Sequence, residues 1–144
     1  MSMKILATLP LVALPGWVLA GPGSVSADEG PRPITISGRV LGASGAHAVY
    51  VLLWDAPGFL KQPVRRLELP SRSEHAFSFS VAPGRWAVSA FEDRNGNGVL
   101  DMGLFGPEEP SGFWRPIRAW RRPRFGDVAS QIDQNVSDVI IKLR

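Results

Sequence analysis

Residues Ile34 to Val40 (ITISGRV) alternate apolar and polar side chains, the period of two that a strand with one buried face requires. Ala48 to Trp54 (AVYVLLW) is apolar on both parities, which predicts a central strand covered on both sides and ended by the turn residues Asp55-Ala56-Pro57-Gly58. Pro63 to Leu69 reads as an edge strand, because Arg65, Arg66 and Glu68 interrupt it and prolines flank it. Phe77, Phe79 and Val81 share one face, with Ala76, Ser78 and Ser80 on the other. After the turn Ala82-Pro83-Gly84, Trp86, Val88 and Ala90 alternate again, and the two runs are expected to pair as a hairpin. Together with Val51, Leu53 and Ile140 they should form an inter-sheet core. Leu104 to Asp127 reads as a long Pro-, Gly- and Arg-rich loop, and Val136 to Leu143 as the last strand. No uninterrupted apolar pattern of helical period reaches ten residues. The pattern predicts an all-β chain: a single antiparallel β-sandwich of about seven short strands with one long irregular loop.

Composition bounds the rest. At 144 residues and 44% hydrophobic content there is apolar material for one packed domain, expected over residues 34–144. Lys4 followed by an apolar run from Ile5 to Ala20 has the layout of a secretory signal peptide, residues 1–20, with a second small-residue cleavage site at Val25-Ser26-Ala27. Pro10, Pro15 and Gly16 interrupt that run, which is also short for a membrane span. Residues 21–33 read as a flexible spacer. The expectation is a periplasmic or secreted mature chain that does not span a membrane. It holds no cysteine, so its stability comes from burial without disulfides. The formal charge of +3, or +2 without Lys4, is too small to make nucleic acid an expected partner.

The stretch Asp93-Arg94-Asn95-Gly96-Asn97-Gly98-Val99-Leu100-Asp101 carries the chemistry. Counted from Asp93, it matches the D-x-[DN]-x-[DN]-G opening of a calcium loop, with Asn95, Asn97, the Val99 carbonyl and Asp101 at the next oxygen-bearing places. Calcium takes six to eight hard oxygens, and alternate residues of a tight coil supply them while glycine permits the bend. Leu104 occupies the twelfth place, where a bidentate Glu would stand, so Glu108 or Glu109 must fold back to replace it. The competing reading is two Asn-Gly turns with no metal.

Arg115, Arg118, Arg121, Arg122 and Arg124 crowd one segment with Trp114 and Trp120. Guanidinium groups suit carboxylate or phosphate and indole rings stack on sugars, which makes this a candidate surface for a protein, glycan or anionic ligand of the cell envelope. The competing reading is a solvated basic loop whose aromatics fold down onto the sandwich. His47 and His75 stand alone, without a second His or Cys at metal spacing, and are expected at surface or strand-end positions. No nucleophile elbow, H-E-x-x-H pair, P-loop or dinucleotide fingerprint occurs.

Gly84-x-Trp86-Ala87-Val88, the Asp93 to Asp101 run, Gly106-Pro107, Glu109-Pro110, Gly112-Phe113, Pro123-x-Phe125 and Asp127 follow one another in that order. On these residues the chain resembles the secreted bacterial proteins of domain-of-unknown-function family 2141. The resemblance implies a small exported β-sandwich similar to transthyretin-like or carboxypeptidase-regulatory-like domains, with no assigned enzyme activity; the strand pattern itself is that of a transthyretin-like or immunoglobulin-like sandwich. Glu92 stands where a His commonly precedes the Asp, and Trp114-Arg115 where a Ser-Asn pair commonly follows Gly-Phe. The expected function is that of a non-catalytic binding or envelope-accessory module. The alternatives are a metal-dependent hydrolase acting through Asp93, Asp101 and a nearby Glu, and a purely structural envelope component.

Overall fold

The computed structural model describes residues 30–72, 74–118 and 121–144. The expected signal peptide, most of the spacer and Trp120 therefore lie outside the described residues. In chain order the elements are β1 (Ile34–Leu41), β2 (Ala48–Trp54), β3 (Arg65–Leu69), β4 (His75–Val81), β5 (Gly84–Asp93), β6 (Met102–Gly103), β7 (Gly106–Pro107), β8 (Ser111–Phe113), α1 (Phe125–Val128), β9 (Ser130–Ile132) and β10 (Val136–Lys142). They build an all-β sandwich, with one sheet ordered β10-β1-β4 and the other β3-β2-β5-β8. Strand β9 continues along the same edge of β5 that β8 occupies, pairing with Gly84 to Trp86 where β8 pairs with Ser89 to Phe91. The sandwich is antiparallel apart from one pair: β1 and β10 run parallel, with a register break between Ile36 and Gly38.

The inter-sheet core is the alternation made solid. Ile34, Ile36 and Val40 of β1 meet Phe77, Phe79 and Val81 of β4, and across the gap lie Val49, Val51 and Leu53 of β2 with Val88 and Ala90 of β5. Trp86 packs at the margin of this core and donates its indole N–H to the Ala82 carbonyl, 2.9 Å away. The other parity of β2 does what a doubly apolar strand must do. Tyr50, Leu52 and Trp54 project from the outer face of their sheet into a second cluster with Ala87, Phe91 and Val128, roofed by Phe59, Leu100, Phe113 and Phe125. Phe59 meets Trp54, Phe113 and Phe125 at ring-centroid separations of 5.9, 6.0 and 5.7 Å, within the range of favourable tilted and edge contacts. One sheet face is thus covered by loops, while the outer face of β10-β1-β4 carries Thr35, Ser37, Arg39, Ser78 and Lys142.

Two expectations are corrected. Strands β4 and β5 do not pair as a hairpin. The turn at Ala82-Pro83 carries the chain from one sheet across to the other, so that β4 pairs with β1 and β5 with β2. Both strands still turn an apolar face into the same core, which is why alternation alone cannot distinguish a hairpin from such an arch. Ile140 does not enter the core. It is 40% exposed, and its neighbours Val139 and Ile141 point inward instead. The loop expected from Leu104 to Asp127 also holds short structure of its own: part of the β6–β7 hairpin, β8 and the single turn of α1.

Candidate functional site

Strand β5 delivers Glu92 and Asp93 to the same end of the sandwich on opposite faces. Glu92 continues the inward parity of Val88 and Ala90 and is fully buried. Its carboxylate is met by the Ser44 amide, 3.2 Å from each oxygen, and by the Ser44 hydroxyl, with the Arg94 guanidinium 3.9 Å away. A buried carboxylate needs such donors, because desolvation without them costs several kcal/mol. Asp93 faces outward and opens the loop. Its Oδ1 accepts the Gly96 N–H at 2.9 Å and its Oδ2 the Gly98 N–H at 2.7 Å.

From there each oxygen-bearing side chain turns the backbone by capping it. Asn95 Oδ1 accepts the Asn97 N–H at 3.1 Å, and Asn97 Oδ1 the Val99 N–H at 3.0 Å. The two amide Nδ2 groups then converge on Asp101 Oδ2, at 2.5 and 2.8 Å. Asp93, Asn95, Asn97 and Asp101 therefore lie together at the loop. They are joined in this geometry by their own hydrogen bonds. Val99 is held by its amide, while its side chain is exposed. Gly98, at φ 73°, lets the loop lie down on the outer cluster: a Cβ there would stand 2.9 Å from Arg66 Nη2, whose guanidinium donates to the Gly98 carbonyl and covers the Tyr50 ring at 4.1 Å.

Glu109 folds back on the loop, and Glu108 does not. The Glu109 side chain is buried, and its two oxygens bracket the loop's ends, Oε1 accepting the Arg94 N–H at 2.8 Å and Oε2 the Asp101 N–H at 3.4 Å. The residue singled out as a replacement ligand thus works through backbone amides. Glu108 is exposed and lies against Gly103, while its amide donates to the Asp101 carbonyl at 2.9 Å and ties the β6–β7 hairpin to the loop. Among the described residues no group of three or more His, Cys, Asp or Glu side chains is placed to hold a metal ion.

The arginine segment divides. Trp114 packs against the inter-sheet core, with Arg115 5.6 Å from its ring, and Arg115 also donates to the Ser130 hydroxyl. Arg121 forms a two-pronged pair with Asp127, Nη1 to Oδ2 at 2.8 Å and Nη2 to Oδ1 at 3.0 Å. The Arg121 hydrogen bonds, and after them the Arg124 amide, hold the Asp127 carboxyl below the ordinary aspartate range. Asp127 also caps the start of α1, accepting the Arg124 N–H at 2.8 Å. Arg118 and Arg122 stand exposed, as does Ile117 in part, and neither arginine has a carboxylate partner among the described residues.

Sequence reasoning missed the burial of Glu92 and of His75. Both were legible in parity: Glu92 extends Trp86, Val88 and Ala90, and His75 precedes Phe77, Phe79 and Val81. His75 sits at a strand end as expected, but buried, with neither ring nitrogen hydrogen-bonded to the protein. Ser44 and Arg66 carried no local signal, since each acts on a residue more than thirty positions away.

Neither among curated proteins nor among solved structures does a protein match this chain. The residues that build the loop, its Glu109 bracket, the β5 strand beneath it and the arginine segment all fall within residues 45–140, which match the model of the family described as "Uncharacterized protein conserved in bacteria" (DUF2141), and the chain belongs to that family.

Proposed function

We propose that this chain is an exported, non-catalytic accessory domain of the cell envelope that offers its arginine segment to an anionic partner and takes up calcium in the loop from Asp93 to Asp101. Export rests on the leader pattern of Lys4 to Ala20. The binding surface rests on Arg118 and Arg122, which are exposed and have no carboxylate partner among the described residues. The observation that carries the calcium reading is the gathering of the Asp93, Asn95, Asn97 and Asp101 side chains in one turn, where Asn95 and Asn97 converge on Asp101 and the loop's amides donate to Asp93 and Asn95. The capping oxygens each retain a second lone pair for a hard cation. Entry of calcium must displace the two amide N–H groups from Asp101, and Glu109 is committed to backbone, so affinity is low, about 10⁻⁴–10⁻³ M as in extracellular modules.

The test is thermal unfolding in chelator and then in calcium. An ion that binds only the folded chain adds about 2.7 kcal/mol at a hundred times its dissociation constant. Magnesium, which resists losing its waters, adds less. Asp93→Ala lowers the baseline by freeing two amides, so the quantity compared is the calcium increment, which that variant and Asp101→Asn should both reduce. A parent whose melting temperature is unmoved by millimolar calcium would remove the metal from this reading.

A further inference from the structure

A sheet edge presents unpaired backbone N–H and C=O groups to any chain that meets it, and folded proteins blunt such edges with charge, proline, a bulge or short length. Three of the four edges of the two main sheets are treated in this way. Strand β3 carries Arg65, Arg66 and Glu68 between Pro63 and Pro70. The opposite edge of the same sheet is divided between β8 and β9, of three residues each. Strand β10 carries Asp138 and Lys142, has its register broken against β1, and is tied to β8 just beyond its end by the mutual backbone bonds of Ser111 and Arg144, each 3.2 Å.

The fourth edge, β4, has none of these devices. Residues 75–81 (HAFSFSV) hold no Lys, Arg, Asp, Glu or Pro, and they pair with β1 in one unbroken register, from Val81 beside Ile34 to His75 beside Val40. No other backbone hydrogen bond among the described residues reaches the strand. Its exposed side chains, Ala76, Ser78 and Ser80, are too small to shield the backbone. The complement of such an edge is an extended, neutral strand with small side chains on its outer face. Strand β4 of another copy is that strand. Self-pairing sets like residues close together, which a charged strand opposes and this one does not. In an antiparallel pair about a two-fold axis at Ser78, Ala76 of one copy meets Ser80 of the other, and Phe77 meets Phe79. Glu74, the nearest charge on the amino-terminal side, falls opposite Ala82 and meets no like charge.

We propose that β4 pairs with β4 of a second copy, antiparallel and centred on Ser78, so that the two β10-β1-β4 sheets become one continuous sheet. The contact joins like surfaces and closes as a two-fold dimer. It is independent of the calcium loop and the arginine segment, which belong to the other sheet.

Sedimentation equilibrium of the purified chain reads it out. The parent dimerises, and moderate salt leaves the dimer intact because the paired strands carry no Lys, Arg, Asp or Glu. Ser78→Lys and Ser78→Glu, at an exposed position, keep the β-sheet circular-dichroism spectrum, and each weakens dimerisation about fivefold by setting like charges directly across the two-fold. Mixing these two variants restores a one-to-one complex, because unlike charges then face each other. Thr35→Lys, exposed on the same sheet face but one strand inward, leaves dimerisation unchanged. Amide exchange at the β4 residues whose N–H points away from β1 slows as the parent concentration rises. The proposal is overturned if the parent stays monomeric at about 100 μM, an upper range for a specific weak contact, or if the mixed variants associate no better than either alone. A loss in Thr35→Lys equal to that in Ser78→Lys would place the contact on the sheet face and overturn it too. It is equally overturned if those outward amides are already protected in a monomeric parent, because the chain then covers its own edge.

Discussion

Removing the Glu109 carboxylate asks whether the loop from Asp93 to Asp101 is held from outside or holds itself. Glu109→Ala deprives the Arg94 amide of a charged acceptor at 2.8 Å and the Asp101 amide of a longer one at 3.4 Å. Hydrogen bonds to a charged group are worth about 1.5–3 kcal/mol each when well formed. The second, beyond the usual distance, contributes on the order of 0.5 kcal/mol. The expected cost is therefore about 2–3.5 kcal/mol, a large share of the stability of a small domain. Glu109→Gln keeps one neutral acceptor and turns an amide N–H₂ toward the remaining donor, so about half that loss is expected. Urea unfolding should show a lower midpoint with an unchanged slope in both variants. Amide exchange should quicken at Arg94 and Asp101, and through the residues between, beyond the change in global stability. If Glu109→Ala shifts stability by less than about 0.5 kcal/mol, as ordinary surface changes do, and exchange at those two amides is unaltered, the bracket is geometric coincidence.

Three further outcomes follow from the packing and the charges. Phe79→Ala should cost about 3–5 kcal/mol in urea unfolding and Ile140→Ala less than about 1 kcal/mol; comparable losses would put Ile140 in the core after all. His75→Phe should stabilise by about 1–2 kcal/mol, because it removes buried ring nitrogens without partners and keeps the apolar volume; a lower melting temperature would mean those nitrogens are satisfied by bound water. For Asp127, whose carboxyl is held low by Arg121, the pair's stabilisation is complete above the ordinary aspartate value and is lost as pH falls through the lowered folded-state value. Arg121→Ala should raise the Asp127 titration midpoint seen by carboxyl NMR, and an unchanged midpoint would refute the pairing.

The strands were legible because one rule, alternation against a single core, governs most of them. Strand β2 shows this most directly: apolar on both parities, it is buried on both faces, with Val51 toward β1-β4-β10 and Leu52 toward the loops. The last strand shows the limit of the rule. In Val139-Ile140-Ile141 three apolar neighbours admit either parity, and the choice falls to the parallel pairing with β1, where Arg39 lies beside Ile140 and Val40 beside Ile141. The β4–β5 connection fails for another reason. Whether two strands pair or arch across the core depends on which sheet each joins, and Ala82-Pro83-Gly84 is compatible with both.

The site was legible as a list of residues and illegible as a geometry, and the neighbours Glu92 and Asp93 explain why. A strand sends successive side chains to opposite faces, so the two carboxylates cannot address one reacting atom. Glu92 enters the inter-sheet core against Ser44, and Asp93 turns out to start the loop. Glu109 then joins the loop's ends from a third direction, through backbone amides. The acid density of residues 92–109 is in this way distributed among the core, the turn and its bracket, three places with their own N–H donors. Glu108 remains exposed beside the hairpin, and Asp101 gives one oxygen to both of its Asn partners.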